Sequence, residues 1–213
     1  MSAAPERVAP GLVLLHQDEA LLVFDKPAGL HSVPPKPPKP QDSLLLRAQE
    51  AYPGTLLVHR LDRDTSGVIV FARTPLAQRH LGWQFERRQT AKSYLARVAG
   101  AVAGEGGRID LPMRVDWPNR PRQMIDPVEG RPAVTDWEVA GREPGATRLR
   151  LSPQTGRSHQ LRVHCLALGH PILGDTLYGD PASAPRLQLH AERIGFRHPI
   201  GGAWVEFVAP APF

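Results

Sequence analysis

Nine consecutive residues, His59 to Gly67 (His-Arg-Leu-Asp-Arg-Asp-Thr-Ser-Gly), constrain this chain more than any others. They interrupt two apolar runs, Leu56-Leu57-Val58 before and Val68-Ile69-Val70-Phe71 after. Each run is short and aliphatic or β-branched, which predicts a buried strand. The segment between them carries two Arg, two Asp and a His. Charges beside core strands must be paired, solvated or put to use. Ser66-Gly67 permits a tight turn back into the core. A solvated loop with a local Arg–Asp ion pair would account for the charges without any function. The alternative is a site.

Composition narrows the choice a little. A chain of 213 residues supports one substantial core, or at most two small domains. Its 41% hydrophobic content suits a soluble globular protein. The net charge is +5, and 22 of the 26 basic residues are Arg. Arg binds phosphate through its planar fork and stacks on bases. Codon bias produces the same enrichment of Arg, Ala, Pro and Gly. The lone Cys165 excludes an intramolecular disulfide framework. The apolar run Leu12–Leu15 is too short for a signal segment or a membrane span. A cytoplasmic protein without a membrane partner is expected.

Residues 1–17 read as an N-terminal arm, Ala/Pro-rich through position 11. Residues 18–213 read as one domain, without repeats or an internal boundary. Ala20–Phe24 predicts a strand that ends at Asp25-Lys26-Pro27-Ala28-Gly29. Pro34–Pro40, with five prolines and two lysines, predicts an extended segment. Asp42 or Ser43 can cap a helix over Leu44–Tyr52, which stops at Pro53-Gly54. Thr74 and Pro75 open a second helix with Ala77, Leu81 and Phe85 on one face. Lys92–Val98 alternates as a strand, with Tyr94, Ala96 and Val98 on one side. Residues 108–150 read as short strands with turns at 118–121 and 129–132. Trp117-Pro118-Asn119-Arg120-Pro121, with Arg122, combines an aromatic, an amide and two cations, which suits either RNA stacking or a surface turn beside a buried Trp. Ser158 can cap a third helix that runs to Leu168, with Gly169 beyond its end. Leu161, Cys165 and Leu168 form its buried stripe, and His159 and Arg162 share another face. His159 and His164 lie about 140° apart around that helix, a poor arrangement for a metal.

The motif His59-Arg60-Leu61-Asp62-x-x-Thr65-Ser66-Gly67 resembles the signature of the RluA family of RNA pseudouridine synthases. Lys26-Pro-Ala-Gly-Leu30, Lys92-x-Tyr94, Arg157-Ser-His-Gln-Leu-Arg162 and His170-Pro-Ile-Leu-Gly-Asp175 follow in the family's order. The order of the whole chain is similar to the RluA branch, and the likeness covers roughly residues 18–213. It implies an α+β catalytic domain: a mostly antiparallel mixed sheet with flanking helices and a central RNA-binding cleft. It implies isomerisation of uridine to pseudouridine in RNA stem-loops of 23S ribosomal RNA and tRNA. Asp62 is implied as the catalytic carboxylate, Arg162 as its ion-pair partner, and Tyr94 as the platform beneath the detached uracil. Arg60 is implied to fill the space the base leaves. Lys92, Trp117, Asn119, Arg120, Arg157, His159, Gln160 and His164 are candidate RNA contacts. Many relatives carry an N-terminal S4 RNA-binding domain; with only about 16 residues before the first strand, none is expected here.

The reaction breaks the N1–C1′ bond, turns the base and rejoins it through C5. It needs no redox or energy cofactor, no metal and no obligatory protein partner. The sequence carries no Walker A loop, no dinucleotide glycine pattern and no metal-ligand cluster. Three other readings compete: a single-substrate synthase, a catalytically idle RNA-binding module, and a sugar hydrolase using Asp62 with Asp64. Paired carboxylates suit glycoside hydrolysis, but alternate residues of an extended strand face opposite ways.

Overall fold

The computed structural model describes residues 6–9, 12–37 and 42–213. Residues 38–40 of the proline-rich segment, and residues 1–5, 10 and 11 of the expected arm, lie outside the described residues. In chain order the first elements are β1 (Glu6–Ala9), β2 (Leu12–Gln17), β3 (Leu21–Lys26), α1 (Leu44–Ala51), β4 (Leu56–Leu57), β5 (Ser66–Ala72) and α2 (Pro75–Glu86). There follow β6 (Ala91–Ala99), β7 (Gly106–Asp110), β8 (Met113–Val115), β9 (Gln123–Ile125), β10 (Val134–Glu143) and β11 (Ala146–Pro153). The last are α3 (Gln160–Ala167), β12 (Leu189–Arg197) and β13 (Trp204–Val208). These elements make two compact units, one reaching to Lys92 and resuming over Ala191–Pro212, the other Ser93–His190 with Phe213.

In the first unit the strands lie in the order β1-β2-β3-β5-β12, with β4 also on β5 and β13 on β12. The β1–β2, β2–β3, β3–β5, β4–β5 and β12–β13 pairings are antiparallel. Every residue of β5 is buried, as are Leu21–Phe24 of β3. These are strands covered on both faces, so they read as continuous apolar runs instead of alternating ones. Leu44 and Ala48 of α1 and Ala77 and Leu81 of α2 are the buried helix positions. Both helices start as expected: the Ser43 hydroxyl accepts from Leu46 N, and that of Thr74 from Ala77 N. The buried Gln84 amide of α2 donates to Arg197 O (2.8 Å) and accepts from Arg197 N (2.7 Å), which ties α2 to β12.

The edge of β5 away from β3 is shared. Leu56 and Leu57 of β4 pair with Ala72 and Phe71. The next free amide, Val70 N, donates to Nε2 of His59 (3.0 Å). Further along, Gly67 packs directly on Ala191 of β12, at φ +114°. His59 therefore bridges the gap between two partner strands. It stacks on Phe85 of α2 at 4.6 Å. Burial first, and the Lys92 charge second, push its pKa down to about 3, so it is neutral and its Nε2 is an acceptor.

In the second unit β6, β11, β10 and β7 form an antiparallel meander-like sheet in that order. Ala96, Val98, Leu149 and Leu151 from one face pack with Leu161 and Cys165 of α3, and Tyr94 lies against the same cluster. The alternation expected for Lys92–Val98 is observed. Hairpin β8–β9 forms a separate two-stranded sheet. Met113 at its base clusters with Ala133, Val163 and Tyr178. Helix α3 ends in a Schellman motif: Gly169 has φ +88°, its N bonds Leu166 O, and His170 N bonds Cys165 O.

Two expectations need correction. Residues 12–17 are a strand, not part of an arm: β2 pairs with β3 and buries Leu12 and Leu14, so a boundary at residue 17 would cut a sheet. The chain also clusters into two compact units. It crosses between them inside β6 and again inside β12, where no linker composition marks the change. Finally, His159, not Ser158, is the residue before α3; it has φ 55° and makes no side-chain cap bond.

Two outcomes are expected. Gly67→Ala would place a Cβ 2.2 Å from Ala191 O at a positive φ, and should cost about 3 kcal/mol or more in chemical denaturation. Gly29→Ala, at φ +84° with nothing nearby, should cost about 1 kcal/mol; equal losses would place the Gly67 constraint elsewhere. A histidine whose folded pKa lies below its unfolded value leaves the native state binding fewer protons than the unfolded chain. Stability should thus fall as pH drops from about 6.5 towards 3, by at most about 1.4 kcal/mol per pH unit from this group. His59→Gln should make that fall shallower; an unchanged slope would assign it to other groups.

Candidate active site

The turn that presents Asp62 is held from behind by a buried cation. Lys26, 0% exposed, ends β3 and donates from Nζ to Pro27 O (2.9 Å), Leu30 O (2.7 Å) and Arg63 O (2.8 Å). An ammonium carries three donors and no acceptor, so three carbonyls match it. Gly29 N also bonds Arg63 O (2.9 Å). On the other side of Asp62, the Ser32 hydroxyl donates to Leu61 O (2.7 Å) and accepts from Leu61 N (3.0 Å). Asp62 O accepts from Thr65 N (3.2 Å), which closes the turn. The backbone is fixed at residues 61 and 63, so the half-buried Asp62 between them has little freedom. Neither Lys26's three carbonyls nor Ser32 was named from the sequence as holding this turn. The signal was Lys26-Pro-Ala-Gly, a lysine where a sharp turn packs under the motif.

The other charges of the motif separate. Arg60 is exposed. Arg63 Nε donates to Asp64 Oδ1 (2.9 Å), the local ion pair that the sequence offered for this loop. Lys92 is partly buried; burial, then the nearby Arg88 charge, lower its pKa.

Arg162 lies on α3 in the second unit and is 3% exposed. Its Nε and Nη2 make a fork with Asp175, at 2.7 and 2.5 Å. Asp175 was read from the sequence only as part of a motif; the structure makes it a partner of Arg162. Its Oδ1 also accepts from Leu177 N (2.9 Å) and Tyr178 N (3.0 Å). Burial alone would raise the Asp175 pKa, but the Arg162 bond and charge and the two amides outweigh it and hold it below its usual value. The Tyr178 ring lies 5.1 Å from the Arg162 guanidinium and 5.3 Å from that of Arg122. Its hydroxyl accepts from Gln123 N (2.7 Å) and bonds His159 Nδ1 (2.8 Å). Tyr178 thus joins the β8–β9 hairpin, the start of α3 and Arg162.

Two expected RNA contacts face inward instead. Gln160, 3% exposed, accepts at Oε1 from the Thr155 hydroxyl and Arg157 N, and donates from Nε2 to Val134 O and the Thr135 hydroxyl. His164 is fully buried, with Nδ1 on the Thr135 hydroxyl and Nε2 on Leu111 O. Burial, the largest influence, lowers its pKa. Both side chains have their hydrogen-bonding atoms engaged within the unit, and they fix α3 to β10. The Asn119 amide is likewise engaged, donating to both carboxylate oxygens of Asp116 (3.1 and 3.0 Å) in the hairpin turn. Trp117, by contrast, is 62% exposed, with the Arg120 guanidinium 4.6 Å above its ring. Arg157 donates from Nε to Pro132 O (3.1 Å).

Among the described residues no group of three or more His, Cys, Asp or Glu side chains is arranged to hold a metal ion. No helix among them is long and apolar enough to cross a membrane.

A sequence profile described as RNA pseudouridylate synthase matches residues 20–167. The chain is 50% identical over 208 residues to the dual-specificity RNA pseudouridine synthase RluA of Escherichia coli K12, covering 96% of this chain and 95% of that protein. It is 49% identical over 206 residues to the protein of the same name from Yersinia pestis, covering 95% of this chain and all of that one. Among solved structures it is similar to human RNA pseudouridylate synthase domain containing 1, at a TM-score of 0.80 and 29% identity, covering 99% of this chain and 87% of that one. With a held aspartate turn inside the matched span, and half its residues shared along nearly the whole length of bacterial relatives, this α+β chain belongs to the RNA pseudouridylate synthase family, in its RluA branch.

Proposed function

We propose that this chain converts uridine to pseudouridine in two RNA classes, a stem-loop of 23S ribosomal RNA and a tRNA anticodon stem-loop. The observation that carries the reading is the Asp62 turn, immobilised by Lys26 and Ser32 in a chain so similar to dual-specificity relatives. The carboxylate either attacks C1′, displacing N1 and forming an ester that C5 later displaces, or takes the C2′ proton as the N1–C1′ bond breaks and returns it when C5 bonds C1′; in both courses the base turns, C5 loses its proton and N1 gains one. Either course needs a carboxylate placed to within a fraction of an ångström, and a pre-fixed turn supplies that placement.

Arg162 orients and stabilises the Asp62 carboxylate. The Asp175 fork, through Nε and Nη2, fixes the plane of its guanidinium for that task. Tyr94 supports the detached uracil, as a planar ring backed by a packed cluster. Arg60, exposed at the motif, fills the stack that the base vacates. Lys92, Trp117, Arg120, Arg157 and His159 contact the RNA. Gln160, His164 and Asn119 act indirectly, through the backbone they fix.

Incubating the protein with transcribed tRNA and 23S ribosomal RNA fragments, then mapping pseudouridine, tests the reading. Product is expected in both; product in one alone leaves a single-substrate synthase. Asp62→Asn should abolish product while RNA binding stays within about tenfold of wild type, a change of at most about 1.4 kcal/mol. Substantial turnover by that variant would remove Asp62 from the centre of the mechanism. Asp175→Asn keeps the shape of the fork and removes its charge, leaving Arg162 buried beside a neutral group. It should lower kcat at least tenfold with little change in KM, and lower stability by about 3 kcal/mol. A full kcat in a destabilised variant would make Asp175 a packing residue only.

A further inference from the structure

One short turn meets Arg162 with two different groups. The Asp175 carboxylate accepts from the amides of Leu177 and Tyr178, two and three residues further on (2.9 and 3.0 Å). Gly179 N closes the turn on Asp175 O (3.1 Å). This spacing sets the carboxylate of residue 175 and the ring of residue 178 against one guanidinium, the first as the fork and the second at 5.1 Å. The ring also lies 5.3 Å from the guanidinium of Arg122, the residue before β9.

The hydroxyl of Tyr178 has one hydrogen to give, and its two partners decide where that hydrogen goes. The Gln123 N–H, at 2.7 Å, uses an oxygen lone pair. His159 Nδ1 is the other partner, at 2.8 Å. Tyr178 is 6% exposed, and its hydroxyl has no third partner among the described residues. A hydrogen on Nδ1 would leave the hydroxyl's own hydrogen without an acceptor, so Nδ1 accepts. Burial, the largest influence, raises the Tyr178 pKa, so the hydroxyl keeps its hydrogen at neutral pH. His159 is then the neutral tautomer with its hydrogen on Nε2. The same bond restrains a residue whose backbone, at φ 55°, lies in the left-handed region just before α3. A two-stranded hairpin is marginal alone, and β8–β9 forms its own two-stranded sheet. The side chains that pin it therefore decide where it sits, and Tyr178 pins it at Gln123 N. We propose that Tyr178 is a positioning residue for the isomerisation, coupling the seat of the β8–β9 hairpin to the His159 tautomer and to the plane of Arg162. The inference rests on the reading of the chain as a synthase and deepens it: one hydroxyl ties the hairpin to the rate of reaction.

Tyr178→Phe keeps the ring against Arg162 and removes only the hydroxyl, so it isolates the coupling. Its single-turnover rate on a tRNA anticodon stem-loop, at saturating enzyme, should fall about tenfold while RNA affinity stays within about threefold of wild type. A structural role alone would not set a tautomer, so the second readout is the nitrogen spectrum of histidine-labelled free protein, with His159→Ala identifying the signal. Wild-type His159 should carry its hydrogen on Nε2, and Tyr178→Phe should turn it into a mixture of tautomers. A hydrogen on Nδ1 in the wild type would overturn the proposal. Thermal melting checks that Tyr178→Phe is folded; if it is not, the wild-type spectrum, which needs no change at Tyr178, still decides. Full single-turnover rate in Tyr178→Phe, beside an active wild type, would overturn the proposal and leave the synthase reading intact. Absence of product from wild-type protein on both tRNA and ribosomal stem-loops would overturn that reading, and the proposal with it.

Discussion

A buried ammonium holding three carbonyls is the constraint around which the first unit is arranged. Lys26 ends β3, and its charge has no water to turn to. Left without partners, a charge there would cost several kcal/mol. The partners it finds, at residues 27, 30 and 63, are backbone groups with no titration of their own. The lysine therefore joins the end of one strand to the turn before another through backbone groups.

The second unit solves the matching problem by the opposite route. Arg162 is held by a carboxylate, two amides behind that carboxylate, and an aromatic ring. A guanidinium needs its plane fixed, since its donors lie in one sheet, and a fork does that where a single bond would not. Tyr178 extends the frame to Gln123 and His159. Displacement of the hairpin or of the residue before α3 would be felt at Arg162 through one hydroxyl.

The parts of the molecule that were readable in advance are those set by local chemistry. Ser43 and Thr74 cap their helices, Gly169 ends α3, and Tyr94, Ala96 and Val98 share one face. Each depends on residues within a few positions of one another. The site motifs were readable because they resemble a family's, not because spacing revealed them. What escaped was long-range. Ser32 meets Leu61 across 29 positions, Arg162 meets Asp175 across 13, and Gln160 meets Thr135 across 25. A buried Gln or His and an RNA-contacting one have the same letter and the same helical neighbours. Only the tertiary partners of Gln160 and His164 distinguish them. The division into units escaped for a related reason, since it falls within continuous strands.

That division has a consequence for how the protein is made. The first unit is assembled from both ends of the chain, and the second, apart from Phe213, is one uninterrupted stretch of it. A ribosome releases residues 93–190 in full before it releases the rest of β12, Ala191–Arg197. Until then β5, the most buried strand, lacks its neighbour along Gly67, and α2 lacks the Arg197 groups that Gln84 binds. The usual vectorial order, in which the N-terminal part folds first, is reversed: the middle of the chain is the part that can close during synthesis. The turn that bears Asp62 acquires its finished surroundings only when the C-terminal strands arrive.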